Sequence, residues 1–416
     1  MGATLFANAT LIDGEHADAR EGFHLLVEND RIKEVSDRPI TTDQADLRRI
    51  DLKGATLMPG LIDAHVHVKA TVINLALLND VMPSYLFAGT TQIMKAMLMR
   101  GFTTVRDAAG ADRGLADAVE QGLIIGPRLF VSGLALSQTG GHADMRPVTR
   151  PGVITCACQV CNEQLGRIAD GIDECRRAAR DELRKGAHQI KIMAGGGVAS
   201  PSDPIQNTQY SIGEITAIVE EATAWHTYVM AHAYTPASIQ RVVRCGIRSV
   251  EHGNLLDAQT AALMAEHDVF HVPTGITYVA LDKHGKEFGF PDVSRQKLRE
   301  IVAAGLRAVE LSRDAGVQIG HGSDLLGPTH HYQADELLLK AEVLGAHGAI
   351  RSATFTNARL LDREGELGTL AVGAKADLLV VDGDPLRDIA LLTRQGRDIP
   401  MIMLDGKACK DELGRV

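Results

Sequence analysis

Eight short apolar runs between residues 61 and 325 constrain the fold of this sequence more than any other feature. The runs cover residues 61–68, 103–108, 128–137, 189–195, 228–234, 249–253, 270–274 and 318–325. Segments with the amphipathic spacing of helices separate them, and strands that are apolar throughout are typical of parallel sheets covered by helices. Eight such strands with intervening helices predict an α/β fold, the (β/α)8 TIM barrel.

The two ends of the chain have a different pattern. Residues 3–58, and the runs ADLLVVDGDPL and IPMIMLDGKACK near the C-terminus, show short β-rich segments separated by Asp-Gly and similar turns. We therefore predict that residues 1–58 and 363–416 together form a small β-sandwich domain. The barrel would then occupy residues 59–362.

The charge balance limits the class of partner. The chain has 43 Lys and Arg residues against 53 Asp and Glu residues, a net charge of -10. This excess of negative charge argues against a nucleic acid or an anionic membrane and favours a small-molecule substrate. No apolar run approaches the roughly 20 residues of a membrane span. The first residues lack the pattern of a signal peptide, so we expect a cytoplasmic protein, although a removed signal peptide would leave the same sequence.

Three chemically distinctive side chains lie on the first and fourth predicted strands. His65 and His67 are two residues apart, so strand alternation points both imidazoles to the same side. Lys191 lies in the apolar strand QIKIMAG, where an isolated ammonium would cost several kcal/mol. Two interpretations of Lys191 stay open: an ion pair with a nearby aspartate, and a carbamate formed with CO2 that bridges two metal ions.

Three further candidates end later strands. His232 ends the fifth strand, His252 ends the sixth and Asp324 ends the eighth. All six groups therefore fall at the C-terminal edge of the predicted barrel, where barrel enzymes have their active sites. Each has an ordinary explanation, a buried core histidine or a helix-capping aspartate, but their convergence at one edge predicts a metal site.

The motifs MPGLIDAHVHV, HAY, EHG and HGSD, the strand-borne lysine and the tail GAKADLLVVDGDP together resemble the amidohydrolase superfamily of metal-dependent hydrolases. The resemblance implies two divalent metal ions, with zinc as the expected metal, although these ligand types also suit manganese, cobalt or iron. By the resemblance, one ion is bound by His65, His67 and Asp324, the other by His232 and His252, and both by carbamylated Lys191. The two cations lower the pKa of a shared water, and Asp324 moves its proton to the leaving amine.

Three more motifs are similar to one branch of that superfamily, the Xaa-Pro dipeptidases, Xaa-Arg/Lys carboxypeptidases and ochratoxin-hydrolysing amidohydrolases. The motifs are SQTGGHADMRP, KIMAGGGVASPSDP and HAYTP. The resemblance places His142 and Tyr234 in contact with the substrate, near its carboxylate and its scissile carbonyl. It implies hydrolysis of dipeptides or N-acyl amino acids, with release of the C-terminal amino acid, and ochratoxin A belongs to this chemical class. A solvated loop residue is the alternative interpretation of His142.

Two rival functions follow from the same barrel. A cyclic-amide hydrolase or deaminase of the imidazolonepropionase type generally holds one metal and has no carbamylated lysine. A non-catalytic assembly protein would have lost the metal ligands, and all six are present here. The resemblance also implies a homo-oligomer, since octamers and other large assemblies are common in this branch.

Cys156, Cys158 and Cys161 form a separate cluster with metal-like spacing. No fourth ligand is nearby other than Cys175 or a distant histidine. A structural zinc site, a redox or disulfide role and an ordinary loop all remain open for these three thiols.

Overall fold

The computed structural model of the protein describes residues 2–146, 164–200, 203–290 and 292–413. Cys156, Cys158 and Cys161 lie outside these ranges. In the described residues, no helix is both long enough and apolar enough to cross a membrane.

Parallel strands and helices alternate through the middle of the chain. The strands are β6 (Leu61–Val66), β7 (Phe102–Asp107), β8 (Arg128–Phe130), β9 (Ala135–Ser137), β10 (Gly166–Ile168), β11 (Ile190–Met193), β12 (Val229–Ala233), β13 (Ser249–His252) and β14 (Phe270–Val272). They form two parallel sheets, in the orders β6-β7-β8 and β10-β9-β11-β12-β13-β14. The predicted strand 128–137 is therefore divided into β8 and β9, with Gly133 between them at a φ of 67°.

Helices follow most of these strands. They are α1 (Pro83–Met99), α2 (Arg113–Glu120), α3 (Ile172–Arg184), α4 (Ile212–Ala224), α5 (Pro236–Arg244), α6 (Ala258–Glu266), α7 (Gly275–His284), α8 (Asp292–Asp314), α9 (Glu336–Ser352) and α10 (Phe355–Leu360). Short 3-10 helices cover Leu75–Asp80, Gly327–Asp335 and Ile389–Leu392. The apolar faces of the helices pack on the strands, as in the cluster that joins Leu183 of α3, Ile218 of α4 and Val242 of α5 to Ile192 of β11. The α/β part of the predicted fold class is confirmed.

The prediction of a regular eighth strand at residues 318–325 was wrong. Only an isolated bridge pairs Ile319 with His271 of β14. The reason is the local backbone: Asp324 has a φ of 51°, and a Cβ on Gly322 would lie 2.6 Å from Val272 Cγ1 and 2.7 Å from His65 Cβ. The segment is therefore a closely packed turn rather than a pleated strand.

This turn nevertheless bonds to strands on both sides. Gly320 N donates to His271 O at 2.8 Å, next to β14. On the other side, Ala64 N of β6 donates to His321 O at 2.8 Å, and Asp324 N donates to His65 O at 2.8 Å. These hydrogen bonds hold Asp324 beside His65. The closed eight-stranded barrel stays a prediction.

The two chain ends meet in one sheet. Its strands are β1 (Ala3–Leu11), β2 (Arg20–Glu28), β3 (Arg31–Ser36), β4 (Leu47–Asp51), β5 (Thr56–Pro59), β15 (Leu378–Val381), β16 (Met401–Leu404) and β17 (Lys407–Asp411). Their order is β17-β16-β15-β5-β1-β2-β3, and β4 pairs with β1. The antiparallel pairing of β5 with β15 joins the N-terminal strands to the C-terminal ones. The two-layered sandwich and the predicted domain boundaries stay predictions.

Asp63 of β6 connects the first barrel strand to the turn that carries Asp324. Its carboxylate is fully buried and accepts hydrogen bonds from Ser323 N (3.1 Å), Ser323 Oγ (2.6 Å), Gln333 Nε2 (3.0 Å) and His65 N (3.1 Å). Removing the carboxylate would leave Ser323 Oγ and Gln333 Nε2 without an acceptor among the described residues.

We expect Asp63→Ala to lower the free energy of unfolding by about 3 kcal/mol, because the buried donors Ser323 Oγ and Gln333 Nε2 lose their acceptor at once. Denaturant unfolding followed by circular dichroism measures the change. Asp37→Ala, which removes an exposed carboxylate on the surface, is the control and should shift the free energy by less than about 0.5 kcal/mol. Equal shifts in the two variants would contradict this role of Asp63.

Candidate active site

One pocket brings the predicted site residues together, and its empty volume is about 680 Å³ including the part that is open to solvent. Its lining includes every predicted metal ligand and both predicted substrate contacts: His65, His67, His142, Lys191, His232, Tyr234, His252 and Asp324. These residues come from β6, β11, β12, β13 and the segments that follow β6, β9, β12 and β14. Most of the other lining side chains are apolar, which is usual for a pocket that binds a small molecule.

His65 in β6 and His67 just after it each have one ring nitrogen close to an oxygen atom that can only accept a hydrogen bond. His65 Nδ1 lies 2.7 Å from Glu251 Oε2, and His67 Nδ1 lies 3.4 Å from Ala109 O. Each Nδ1 must therefore carry a hydrogen, and Nε2 is the nitrogen through which each ring could bind a metal ion. The His65 Nε2 atom is buried and has no hydrogen-bond partner among the described residues. Such an orphaned nitrogen is suited to a metal ion.

Asp324 faces both of these nitrogens. Asp324 Oδ1 lies 3.1 Å from His67 Nε2 and 3.5 Å from His65 Nε2. One ligand atom from each of the three residues lies within 4.8 Å of the others, a grouping that can hold one metal ion. Although burial opposes the negative charge, the two histidines hold the pKa of the Asp324 carboxyl well below its usual range. The carboxylate is therefore ionised, as a metal ligand must be.

His232 and His252 form the other side of the cavity, with ring centroids 4.6 Å apart. His232 Nε2 donates to Gly196 O at 3.1 Å, so the lone pair is on Nδ1. His252 Nδ1 lies 2.8 Å from Thr274 Oγ1 and 3.9 Å from Asp324 Oδ2. Burial lowers the pKa of both imidazoles well below the usual value, which leaves them in the neutral form that binds metals.

Lys191 lines the cavity from β11 and is 1% exposed. No described residue forms a salt bridge with it, so the ion-pair interpretation has no support in these parts of the chain. Burial lowers the pKa of Lys191 to about 8, because the attraction of Glu251 and Asp324 offsets the loss of hydration only partly. The neutral amine, which is the form that reacts with CO2, is therefore accessible near neutral pH. The carbamate stays a prediction.

His142 is held against His232 by the loop that follows β11. The two rings stack at 4.2 Å, and His142 Nδ1 lies 3.0 Å from Ser200 Oγ and 3.4 Å from Asp203 Oδ2. A Cβ on Gly197 would lie 1.9 Å from His142 Cε1, so a glycine is required beneath this ring. His142 is buried rather than solvated, and its Nε2 atom is not used by these contacts.

Tyr234 lies beside both histidines of the second group. Its ring centroid is 4.9 Å from that of His232 and 5.3 Å from that of His252. Its hydroxyl lies 2.8 Å from the hydroxyl of Tyr278, which comes from helix α7. A phenol in this position can donate a hydrogen bond to a negative charge that develops on a substrate oxygen.

Two groups in this site were missed by the sequence interpretation. Glu251 is fully buried and joins His65 to Arg106, whose Nη2 donates to Glu251 Oε1 at 2.9 Å. The signal was present, since Glu251 is a charged residue inside an apolar strand, as Lys191 is. Tyr278 had no such signal, because only the packing of α7 against the cavity brings it to Tyr234.

Comparison with known proteins identifies the family. The model of the amidohydrolase family matches residues 56–409. The chain belongs to the amidohydrolase family. It is 32% identical to an ochratoxinase of Aspergillus niger over 370 residues, which are 85% of this chain and 75% of that protein. The chain is therefore a hydrolase that acts on C–N bonds, in a superfamily that depends on metals.

Two crystal structures are similar over nearly their whole length. One is an amidohydrolase with 51% identity and a TM-score of 0.96, with coverage of 99% of this chain and 100% of that one. The other is a prolidase in complex with N-methylphosphonate-L-proline, with 48% identity and a TM-score of 0.95, covering 98% of this chain and 100% of that one. The predicted resemblance to the superfamily and to this branch is confirmed.

We expect Glu251→Gln to weaken zinc binding by about 10- to 100-fold, because a neutral amide places its own donor against the hydrogens of His65 or Arg106. Competition with a chelator of known affinity measures the change. Glu220→Gln, which weakens one exposed ion pair of Arg176 while the pair with Glu221 remains, is the matched control. Unchanged zinc affinity in Glu251→Gln would remove Glu251 from this supporting role.

Proposed function

We propose that this protein is a two-metal amidohydrolase that cleaves the amide bond of dipeptides or N-acyl amino acids and releases the C-terminal amino acid. One observation supports this most strongly: a single cavity holds six candidate metal ligands together with His142 and Tyr234. The similarity to a prolidase and to an ochratoxinase supports the same class of bond. Ochratoxin A, an N-acyl phenylalanine, is included among the proposed substrates.

The residues present fit a pair of divalent ions. We assign His65, His67 and Asp324 to one ion, His232 and His252 to the other, and carbamylated Lys191 to both, with zinc as the proposed metal. When bound, the ions would polarise the scissile carbonyl and lower the pKa of the attacking water. Lys191 inside the cavity argues against the one-metal cyclic-amide hydrolase or deaminase.

Asp324 would carry the proton through the reaction. Its carboxylate accepts the proton of the attacking water and then gives it to the nitrogen of the breaking amide bond. An amide requires this second step, because an unprotonated amine is a poor leaving group. The ionised state of Asp324 is consistent with its starting role as a base.

His142 and Tyr234 would bind the two oxygen-bearing ends of the substrate. Tyr234 donates to the carbonyl oxygen as negative charge develops on it. The free carboxylate would bind His142 Nε2. Lys191 is the only lysine or arginine among the described lining residues, and because it is assigned to the metals, no other cationic side chain of the lining can bind the carboxylate. The remaining wall includes Leu75, Met193, Leu281 and other apolar side chains, which suit an apolar substrate.

Several wider features belong to the same proposal. We propose a closed (β/α)8 barrel with a β-sandwich formed by both chain ends, because residues 318–324 bond to both neighbouring strands and because β5 pairs with β15. A homo-oligomer, such as an octamer, and a cytoplasmic location are proposed as well. The partner is a small molecule with a free carboxylate rather than a nucleic acid or a membrane.

The substrate proposal is tested with protein loaded with zinc and bicarbonate and a panel of dipeptides and N-acyl amino acids that includes ochratoxin A. We expect release of the free amino acid, and a kcat/KM about 10- to 100-fold lower for the matched C-terminal amides, which lack the charge that binds His142. Release of no amino acid from any member of the panel would falsify the substrate class. Hydrolysis of neutral cyclic amides alone would favour the rival function.

We expect Asp324→Asn to keep most of its zinc and to lose kcat by about 10²-fold or more, because the amide can occupy the same position but cannot accept the proton. Metal analysis and steady-state kinetics of the same preparation measure both quantities. A nearly normal kcat in zinc-loaded Asp324→Asn would remove Asp324 from proton transfer.

A further inference from the structure

A row of hydroxyl groups connects a candidate metal ligand to Tyr234. His252 Nδ1 lies 2.8 Å from Thr274 Oγ1, Thr274 Oγ1 lies 3.4 Å from Tyr278 Oη, and Tyr278 Oη lies 2.8 Å from Tyr234 Oη. The middle link is the longest of the three. All four residues are buried, with exposures of 0% to 3%. The sequence motifs point to neither Thr274 nor Tyr278.

The apolar surroundings strengthen this row. Tyr234 and Tyr278 belong to one buried cluster with Val198, Leu281 and Phe290. The apolar neighbours offer no hydrogen bond, so each hydroxyl depends on its neighbour in the row for a protein partner. Hydrogen bonds in such surroundings are stronger than in water and polarise one another along a chain.

A metal ion on His252 would give the row one direction. Thr274 occupies the space at Nδ1, so Nε2 is the nitrogen left for a metal, and Nδ1 must then carry the hydrogen. Thr274 Oγ1 accepts that hydrogen and directs its own toward Tyr278 Oη. Tyr278 in turn donates to Tyr234, whose hydrogen is left free for the cavity. If Thr274 donated to His252 instead, Nδ1 would have to accept, which places the hydrogen on the metal-binding nitrogen. If Thr274 accepted from both neighbours, its own hydrogen would have no other acceptor among the described residues.

We propose that Thr274 and Tyr278 are positioning residues that form a one-way hydrogen-bond chain from His252 to Tyr234, and that this chain turns the Tyr234 hydroxyl hydrogen toward the substrate carbonyl oxygen. Without it, Tyr234 could donate to Tyr278 and present only a lone pair to the substrate. The inference rests on the proposed function of Tyr234, and it adds two residues that act through Tyr234.

The first test is a cycle of Tyr234→Phe, Tyr278→Phe and the double variant, with an amide substrate taken from the panel. We expect Tyr278→Phe to lower kcat by about tenfold with little change in KM, because the donor matters most when charge develops on the oxygen. In the Tyr234→Phe background the same change should have almost no further effect, since residues that act through one another are not additive. Equal losses in both backgrounds would overturn the proposal.

Tyr332→Phe is the matched control for the cycle. Its hydroxyl lies 2.8 Å from His284 Nε2, at the end of the same helix α7, and Tyr332 does not line the cavity. We expect normal kcat and KM for this variant. Circular dichroism and zinc content, compared across all variants, identify any that fold differently.

The second test needs no substrate. Thr274→Val keeps the shape of the side chain but removes the acceptor of His252 Nδ1, so we expect zinc affinity to fall by about 10- to 100-fold. Thr274→Ser keeps the hydroxyl and should restore the affinity. If no amide is hydrolysed by the unmodified protein, the proposed function fails, while loss in Thr274→Val with rescue in Thr274→Ser still supports the first link of the chain, from His252 to Thr274. Equal zinc affinity in both Thr274 variants would overturn it.

Discussion

The ion pair between Arg106 and Glu251 is the interaction on which the arrangement of this site depends. Both side chains are completely buried, and Arg106 also donates to Ala64 O at 2.6 Å and to Ser249 Oγ at 3.3 Å. The pair therefore joins β7, β6 and β13 across the interior. Although burial opposes ionisation of Glu251, Arg106 and His65 hold the pKa of its carboxyl well below the usual range. A buried charge of this kind is tolerated only with its partners in place.

Each of the four candidate histidine ligands has one ring nitrogen in contact with an oxygen atom of the protein. The carboxylate of Glu251, the backbone carbonyls of Ala109 and Gly196 and the hydroxyl of Thr274 each engage one ring nitrogen. The other nitrogen of each ring is then available for a metal ion. These contacts hold the orientation of each candidate ligand ring.

The side of the cavity that holds His142 is organised by the loop after β11. The loop after β11 places Ser200 and Asp203 against His142, and Lys297 Nζ holds that loop by donating to the carbonyl oxygens of Gly197 (2.9 Å) and Asp203 (2.6 Å). The loop motif alone does not show why position 197 must be glycine. This glycine makes room for the imidazole ring rather than for the substrate.

The sequence alone determined the α/β class, the family and the candidate ligands, because strand alternation and isolated charges in apolar runs are local properties. His65, His67 and Lys191 stand out for that reason, and Glu251 carried the same signal. The turn at 318–325 could not be predicted, since the positive φ of Asp324 and the contact of Gly322 with Val272 arise only when this segment packs between β6 and β14. Likewise, only the tertiary structure placed Tyr278 against Tyr234, because a residue on α7 meets one just after β12 through packing that no sequence spacing records.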